Sequence, residues 1–146
     1  MAAVTSIRVA ETDADIARCF AVMRELRTDL VEHEFVPRVR QQQAGGYRLA
    51  YLEDGARVCA VAGFRLIDNL VHGRVLYVDD LVTDSRLRSR GHGKALLDTL
   101  IQRAKDEGCQ CLELDSGVQR FEAHRFYLAN RMIISSHHFL LKLSQG

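Results

Sequence analysis

The chain has 146 residues, 47% hydrophobic and 27% charged, with a formal net charge of +1. That length suits one domain, residues 1–146, with a two- or three-layer core. The near-neutral charge argues against a dedicated nucleic-acid binder, and no apolar run reaches the roughly eighteen residues that a membrane span needs.

The start, Met1-Ala2-Ala3-Val4-Thr5-Ser6, lacks a basic region followed by an apolar stretch, so a cytoplasmic location is expected. Ile7-Arg8-Val9 alternates as a short first strand does, and Thr12-Asp13-Ala14-Asp15 offers a cap and early acids for a helix. Ile16, Phe20, Met23, Leu26 and Leu30 recur at helical steps and predict one amphipathic helix. The periodicity breaks between Asp29 and Pro37, where a short second helix is expected to run on to Gly45-Gly46. Tyr47 to Leu52 and Arg57 to Leu66 are β-prone runs around Asp54-Gly55, which supplies the positive φ angles of a tight hairpin. A second turn over Asp68 to Gly73 leads into a strand from Val75 to Val82.

After Gly93, the residues Ala95, Leu96, Leu97, Leu100, Ile101 and Ala104 repeat with helical period, and Glu107-Gly108 closes that helix. Cys111 to Leu114 reads as a strand, Ala123 to Asn130 as a helix, and Ile133 to Leu143 as a last strand. The expected order is βααβββαβαβ, an α/β fold with a mixed, mostly antiparallel central sheet flanked by helices. The four cysteines, Cys19, Cys59, Cys109 and Cys111, lack the paired close spacing of a structural zinc site and are expected to be reduced and mostly buried. Cys109 and Cys111 share a strand face, yet no second Cys or His pair at zinc spacing accompanies them, so packing is the expected role. His137-His138 are strand neighbours that face opposite ways. No metal is expected.

Positive charge concentrates in the segment from Arg86 to Lys94, between a strand and a helix. At a helix start, backbone N–H groups lack partners and the dipole is positive, so a phosphate fills both deficits. Side chains at Gly91 or Gly93 would hold the phosphate off the backbone, while Arg88, Arg90 and Lys94 add countercharge. Arg88 and Ala95 stand where a nucleotide-triphosphatase loop needs Gly and Ser or Thr. Leu96 stands where a dinucleotide fingerprint needs its third glycine.

Arg88-Ser89-Arg90-Gly91-His92-Gly93 fits the Arg/Gln-x-x-Gly-x-Gly/Ala signature, and the chain thereby resembles the GNAT superfamily of acetyl-CoA-dependent N-acetyltransferases. Leu81-Val82-Thr83 ahead of it and Ala123-His124-Arg125-Phe126-Tyr127 beyond the next strand extend the match to nearly the whole chain. Tyr77 to Leu81 is similar to the acidic fourth strand of diamine acetyltransferases, and Ala123 to Leu128 to aminoalkylphosphonate acetyltransferases. The resemblance implies acetyl-CoA as cosubstrate, with its pyrophosphate on the N–H groups of Arg88, Ser89, Arg90, Gly91, His92, Gly93 and Lys94. It also implies a pantetheine arm along Leu81, Val82 and Thr83, and a primary amine as acceptor, attacked directly in a ternary complex. A protein lysine or N-terminus as acceptor, or a CoA-binding module without turnover, are the alternatives.

Such a transfer asks for a group that takes the amine's proton and one that serves the departing sulfur. Asp79 and Asp80 are the candidate bases; strand neighbours face opposite ways unless a bulge intervenes, and the resemblance favours Asp79. Tyr127 is the candidate acid. Asp29, Glu32, His33 and Glu34 either line the acceptor entrance or form a solvated helix end. Many members of the family it resembles carry Asn where Arg120 stands and Gly-Phe where Arg131-Met132 stands. They often pair through last strands, so the resemblance implies a homodimer.

Overall fold

The computed structural model describes residues 5–144, and the chain divides into two compact units, one ending at Leu114 and the other beginning at Asp115. The first unit holds a five-stranded sheet of β1 (Thr5–Val9), β2 (Arg48–Asp54), β3 (Arg57–Asn69), β4 (Gly73–Thr83) and β5 (Cys111–Leu114), side by side in chain order. The first four strands pair antiparallel and β5 joins β4 in parallel. A parallel neighbour requires a crossover, here through a 3₁₀ turn at Ser85–Leu87 and a helix at His92–Asp106.

Three helices, α1 (Asp13–Arg18), α2 (Phe20–Leu26) and α3 (Glu32–Ala44), lie between β1 and β2, and the crossover helix is α4. Thr12 caps α1 by accepting the Asp15 N–H through Oγ1 at 3.1 Å, with Asp13 and Asp15 in the dipole-favoured first turn. Side-chain alternation divides the sheet into two faces. Ile16, Phe20, Met23, Phe35 and Val39 from the first three helices pack with Leu49, Tyr51 and Val61 on one face. On the other, α4 presents Leu96, Leu97, Leu100 and Ala104, all buried, and the Arg103 guanidinium lies 5.4 Å from the centre of the Phe64 ring. Each large side chain removed from water in these layers contributes about 1.5–3 kcal/mol.

The mixed, mostly antiparallel sheet with flanking helices is the fold class expected from the sequence, but the order is βαααβββαβα. The helix expected to run through Leu30 is two, and it ends early because Arg27 leaves helical geometry at φ −107°, ψ 78°. The segment expected to form a short helix instead forms thirteen residues of α3, with Pro37 inside.

The second unit contains α5 (Phe121–Ala129). No strand follows it among the described residues, in contrast to the one expected from Ile133 to Leu143. Ile133, Ile134, Phe139, Leu140, Leu141 and Leu143 are exposed instead. Alternation and apolar content mark strand-competent sequence, but a strand exists only against a hydrogen-bonding neighbour, and the described residues give this run none. Arg131 adopts the left-handed φ of 69°, a glycine-like backbone that costs roughly 1–2 kcal/mol in any other residue.

Candidate active site

The register of β3 against β4 shifts once: Gly63 faces Asp80, Phe64 faces Val78, and Asp79 is the extra residue. A bulge resets the alternation of a strand. Its consequence is that both carboxylates reach partners on the α1–α3 side of the sheet. Asp80 accepts from the Tyr47 hydroxyl at 2.8 Å and from Arg27 Nε at 2.8 Å. Arg27 Nη2 also donates to the Asp79 backbone oxygen at 2.7 Å, which explains why the chain leaves α2 at that residue. Asp79 accepts from Arg65 Nε and Nη2 at 2.9 and 2.7 Å, a bidentate geometry that neutral donors cannot match. Hydrogen bonding to Asp79 raises the Arg65 pKa further above its usual range. Burial, reinforced by Asp80, pushes the Tyr47 hydroxyl far above the ordinary phenol value, so Tyr47 stays a donor.

Gly63 makes this arrangement possible. A Cβ there would stand 1.8 Å from Tyr47 Oη and 2.5 Å from Asp80 Oδ2, so the Tyr47 ring crosses the sheet over the one residue type that leaves it room.

Pairing with β5 ends at Val78 opposite Leu114, while β4 continues to Thr83. Beyond the bulge, the edge of β4 turned away from β3 therefore has no β5 alongside, and Leu81, Val82 and Thr83 lie on this stretch. The chain after Thr83 is then fastened by four backbone N–H groups. Asp84 N–H donates to Cys59 O at 2.8 Å and Leu87 N–H to Asp84 O at 2.9 Å. Ser85 N–H donates to the Glu25 carboxylate at 3.1 Å, and Arg86 N–H to Asp84 Oδ1 at 3.0 Å. The Asp84 side chain is only 3% exposed, and Arg86 and Arg57 approach it at 2.9 and 3.6 Å. Arg86 hydrogen bonding, against the opposing effect of burial, lowers its pKa to about 2.

Residues 88 to 91 leave this anchor as an exposed loop. Ser89 and Gly91 hold left-handed φ angles of 64° and 81°, and Gly91 caps α4 with no side-chain hydrogen bond. The first intrahelical bond runs from Ala95 N–H to Gly91 O at 3.0 Å, so the His92 and Gly93 amides precede it at the positive end of the dipole. The Cβ position of Gly91 opens onto space with no atom within 4 Å. Arg88 and Arg90 are exposed, and Lys94 pairs with Asp98 at 3.1 Å. Amides, dipole and cations thus converge at the start of α4, one short turn and loop beyond the stretch of β4 that β5 leaves unpaired.

Residues 15–130 match the family model described as the acetyltransferase (GNAT) family. The chain is 36% identical over 112 residues to the uncharacterized N-acetyltransferase YhdJ of Bacillus subtilis, covering 76% of this chain and 79% of that one. The chain belongs to the GNAT acetyltransferase family. Solved structures agree on the fold of this GNAT acetyltransferase. An aminoglycoside N-acetyltransferase in complex with CoA superposes with a TM-score of 0.85 at 12% identity, covering 97% of this chain and 96% of that one. Glucosamine-6-phosphate N-acetyltransferase from Arabidopsis thaliana does so with a TM-score of 0.77 at 22% identity, covering 97% and 99%.

Of the residues singled out in the sequence, the first unit brings Asp79 and Asp80 to one face and carries the edge Leu81–Thr83 and the loop Arg88–Lys94 on one continuous path. Tyr127 lies on α5 in the second unit, where burial raises its hydroxyl above the ordinary phenol range and Arg120 opposes the rise. Asp29, Glu32, His33 and Glu34 are exposed around the start of α3. Sequence reading missed Arg27, Tyr47, Gly63 and Arg65, whose partners are set by strand register. It also missed Asp84, for which a signal existed: an aspartate that accepts the N–H two residues on is the Asx turn of a strand-to-loop junction.

Two stability predictions follow from this geometry. Gly63→Ala should displace Tyr47 from Asp80 and cost about 1–3 kcal/mol as an overpacked site does, read by urea unfolding; an unchanged midpoint contradicts the close approach. The folded-state pKa of Asp84 is the lower one, so its stabilisation is complete above the unfolded value near ~4 and is lost as the pH falls toward 2. Asp84→Asn should therefore flatten the acid limb of stability against pH and lower stability near neutrality by roughly 1.5–3 kcal/mol, measured by thermal unfolding across the acid range.

Proposed function

We propose that this GNAT enzyme transfers the acetyl group of acetyl-CoA to the primary amine of a small molecule that also carries an anionic group. The observation that carries the donor assignment is the left-handed Gly91 cap of α4, placed directly after the unpaired edge of β4. The residues present fit the cosubstrate: N–H groups of Arg88 to Lys94 hold the pyrophosphate, and Leu81, Val82 and Thr83 offer strand-like backbone pairing to the pantetheine amides. When bound, acetyl-CoA supplies the acyl group as a thioester.

The amine nitrogen attacks the thioester carbonyl carbon, the C–N bond forms and the C–S bond breaks, with no covalent enzyme intermediate. Asp79 takes the proton lost by nitrogen, directly or through water. Its side chain is 22% exposed against 12% for Asp80, and Asp80 is covered by Tyr47 and Arg27, which suits it to positioning. Tyr127 delivers a proton to the departing sulfur; a hydroxyl raised by burial holds that proton until a thiolate develops.

Arg65 and Arg27 match Asp79 and Asp80 one for one, so the aspartate pair itself carries no excess negative charge for a polyamine. Both guanidiniums are about half exposed and favour an acceptor of the aminoalkylphosphonate or amino-acid kind. The family match crosses both compact units, which supports reading 1–146 as one N-acetyltransferase domain; a cytoplasmic location belongs to the same proposal. The exposed apolar run from Ile133 to Leu143 supports a homodimer that covers it; a monomer by light scattering at working concentration contradicts that.

An acceptor panel with thiol release as readout tests the assignment. Signal with aminophosphonates or amino acids well above polyamines is expected; signal with peptides alone transfers the function to protein acetylation, and acetyl-CoA binding without turnover removes the catalytic reading. Gly91→Glu should abolish acetyl-CoA binding by calorimetry. Tyr127→Phe and Asp79→Asn should each lower kcat by about a hundredfold with acetyl-CoA affinity retained, and an unchanged kcat removes that residue from the mechanism.

A further inference from the structure

A second cluster of chemistry-bearing side chains stands at the other end of β4. His72 is the last residue of the turn between β3 and β4, and its N–H donates to Asn69 Oδ1 at 2.8 Å, an Asx arrangement that fixes how the turn presents it. The start of β5 is tied to the same place: Gln110 N–H donates to Arg74 O at 2.8 Å, and Cys111 and Glu113 pair in register with Val75 and Tyr77. Two residues apart on a strand, Cys111 and Glu113 point to one face. The result is that one nitrogen of His72, the Cys111 sulfur and one Glu113 oxygen all lie within 4.8 Å of one another, with His72 Nε2 3.7 Å from Glu113 Oε2.

We propose that His72, Cys111 and Glu113 bind a single divalent cation of the zinc class. Ligands about 2.0–2.3 Å from a tetrahedral zinc stand roughly 3.3–3.8 Å from each other, so the three atoms need only a small closing movement of side-chain torsions. A nitrogen, a sulfur and a carboxylate oxygen form a borderline-soft set that suits zinc and disfavours magnesium or calcium, which take oxygen ligands. Three protein ligands leave the fourth position to water. On binding, the Cys111 S–H loses its proton to solvent and the thiolate becomes the ligand, while His72 binds as neutral imidazole. The His72 and Glu113 side chains are 45% and 35% exposed, which gives an ion access from solvent. The ion ties the β3–β4 turn to the start of β5 and stabilises the fold by linkage.

This reading departs from the packing role expected of Cys111, because the third ligand comes from a turn distant in the sequence that no spacing rule would pair with it. The alternative is a plain His–Glu surface pair, in which the thiol has no part.

The full chain, stripped of metal by a chelator, is titrated with Co²⁺ and with Zn²⁺. One equivalent should bind, cobalt should give a thiolate charge-transfer band in the near ultraviolet, and zinc should raise the thermal midpoint. Cys111→Ser should remove the band, and His72→Ala, in an exposed turn where folding is not at stake, should weaken zinc binding by more than about tenfold and remove the zinc-induced rise in midpoint. Cys109→Ser should leave all three signals in place. Absence of stoichiometric binding overturns the proposal, as does an affinity that neither His72→Ala nor Cys111→Ser changes.

Discussion

The functional end of this molecule depends on one inserted residue. Asp79 is the extra residue of β4 opposite Gly63 and Phe64, and in an unbulged strand Asp79 and Asp80 would point to opposite faces, one of them into the layer under α4. With the bulge, both carboxylates meet guanidiniums and a phenol on the same side, and α2 is held to the sheet through Arg27. The bulge also falls where β5 stops, since Val78 is the last residue of β4 that β5 pairs. The carboxylate pair and the end of β5 pairing therefore fall at the same point of β4.

The ionic pattern around the bulge constrains chemistry as well as structure. Two carboxylates projecting together would repel each other at several kcal/mol in a partly buried setting, and each is held by its own arginine. Arg65 belongs to the neighbouring strand and binds its partner through both oxygens, a rigid pairing. Arg27 lies just past a helix end and spans a backbone carbonyl and a side chain. A cluster wired in this way is polar while its charges are matched pairwise, so what it presents is hydrogen-bond geometry at named groups more than a long-range field.

What was legible in the sequence were the features whose cause is local. The start of α4 follows from a glycine ahead of an amphipathic helix, and Gly91 adopts the positive φ expected of a glycine loop. The hairpin, the crossover helix and the short parallel strand likewise follow from turn residues and periodicity. The bulge was not legible, because Val78-Asp79-Asp80-Leu81 reads equally well as an uninterrupted strand; only the pairing with Gly63 reveals the extra residue. Arg27 illustrates the same limit, since its helical periodicity continues to Leu30 but contacts with Asp79 and Asp80, set by tertiary register, pull the chain out of the helix. For Ile133 to Leu143 the sequence predicts a last strand that the described residues do not form, because strand formation depends on a neighbouring edge that composition cannot supply.

Because the carboxylate pair lies on β4 and Asp84, the anchor of the following loop, comes immediately after its last residue, their separation is set by backbone geometry. From Asp79 to Thr83 an extended strand covers roughly 13 Å at about 3.3 Å per residue, and Asp84 ends that span with a buried carboxylate that holds the first turn of the loop. A flexible side chain could not keep such a distance constant, whereas a paired strand flanked by two hydrophobic layers can. The two ends are nevertheless fastened independently, Asp79 and Asp80 by arginines from α2 and β3, Asp84 by Arg86 and the Cys59 carbonyl. A change at the bulge can thus alter the carboxylate pair while the start of α4 keeps its own anchor, so the two ends of this path vary separately.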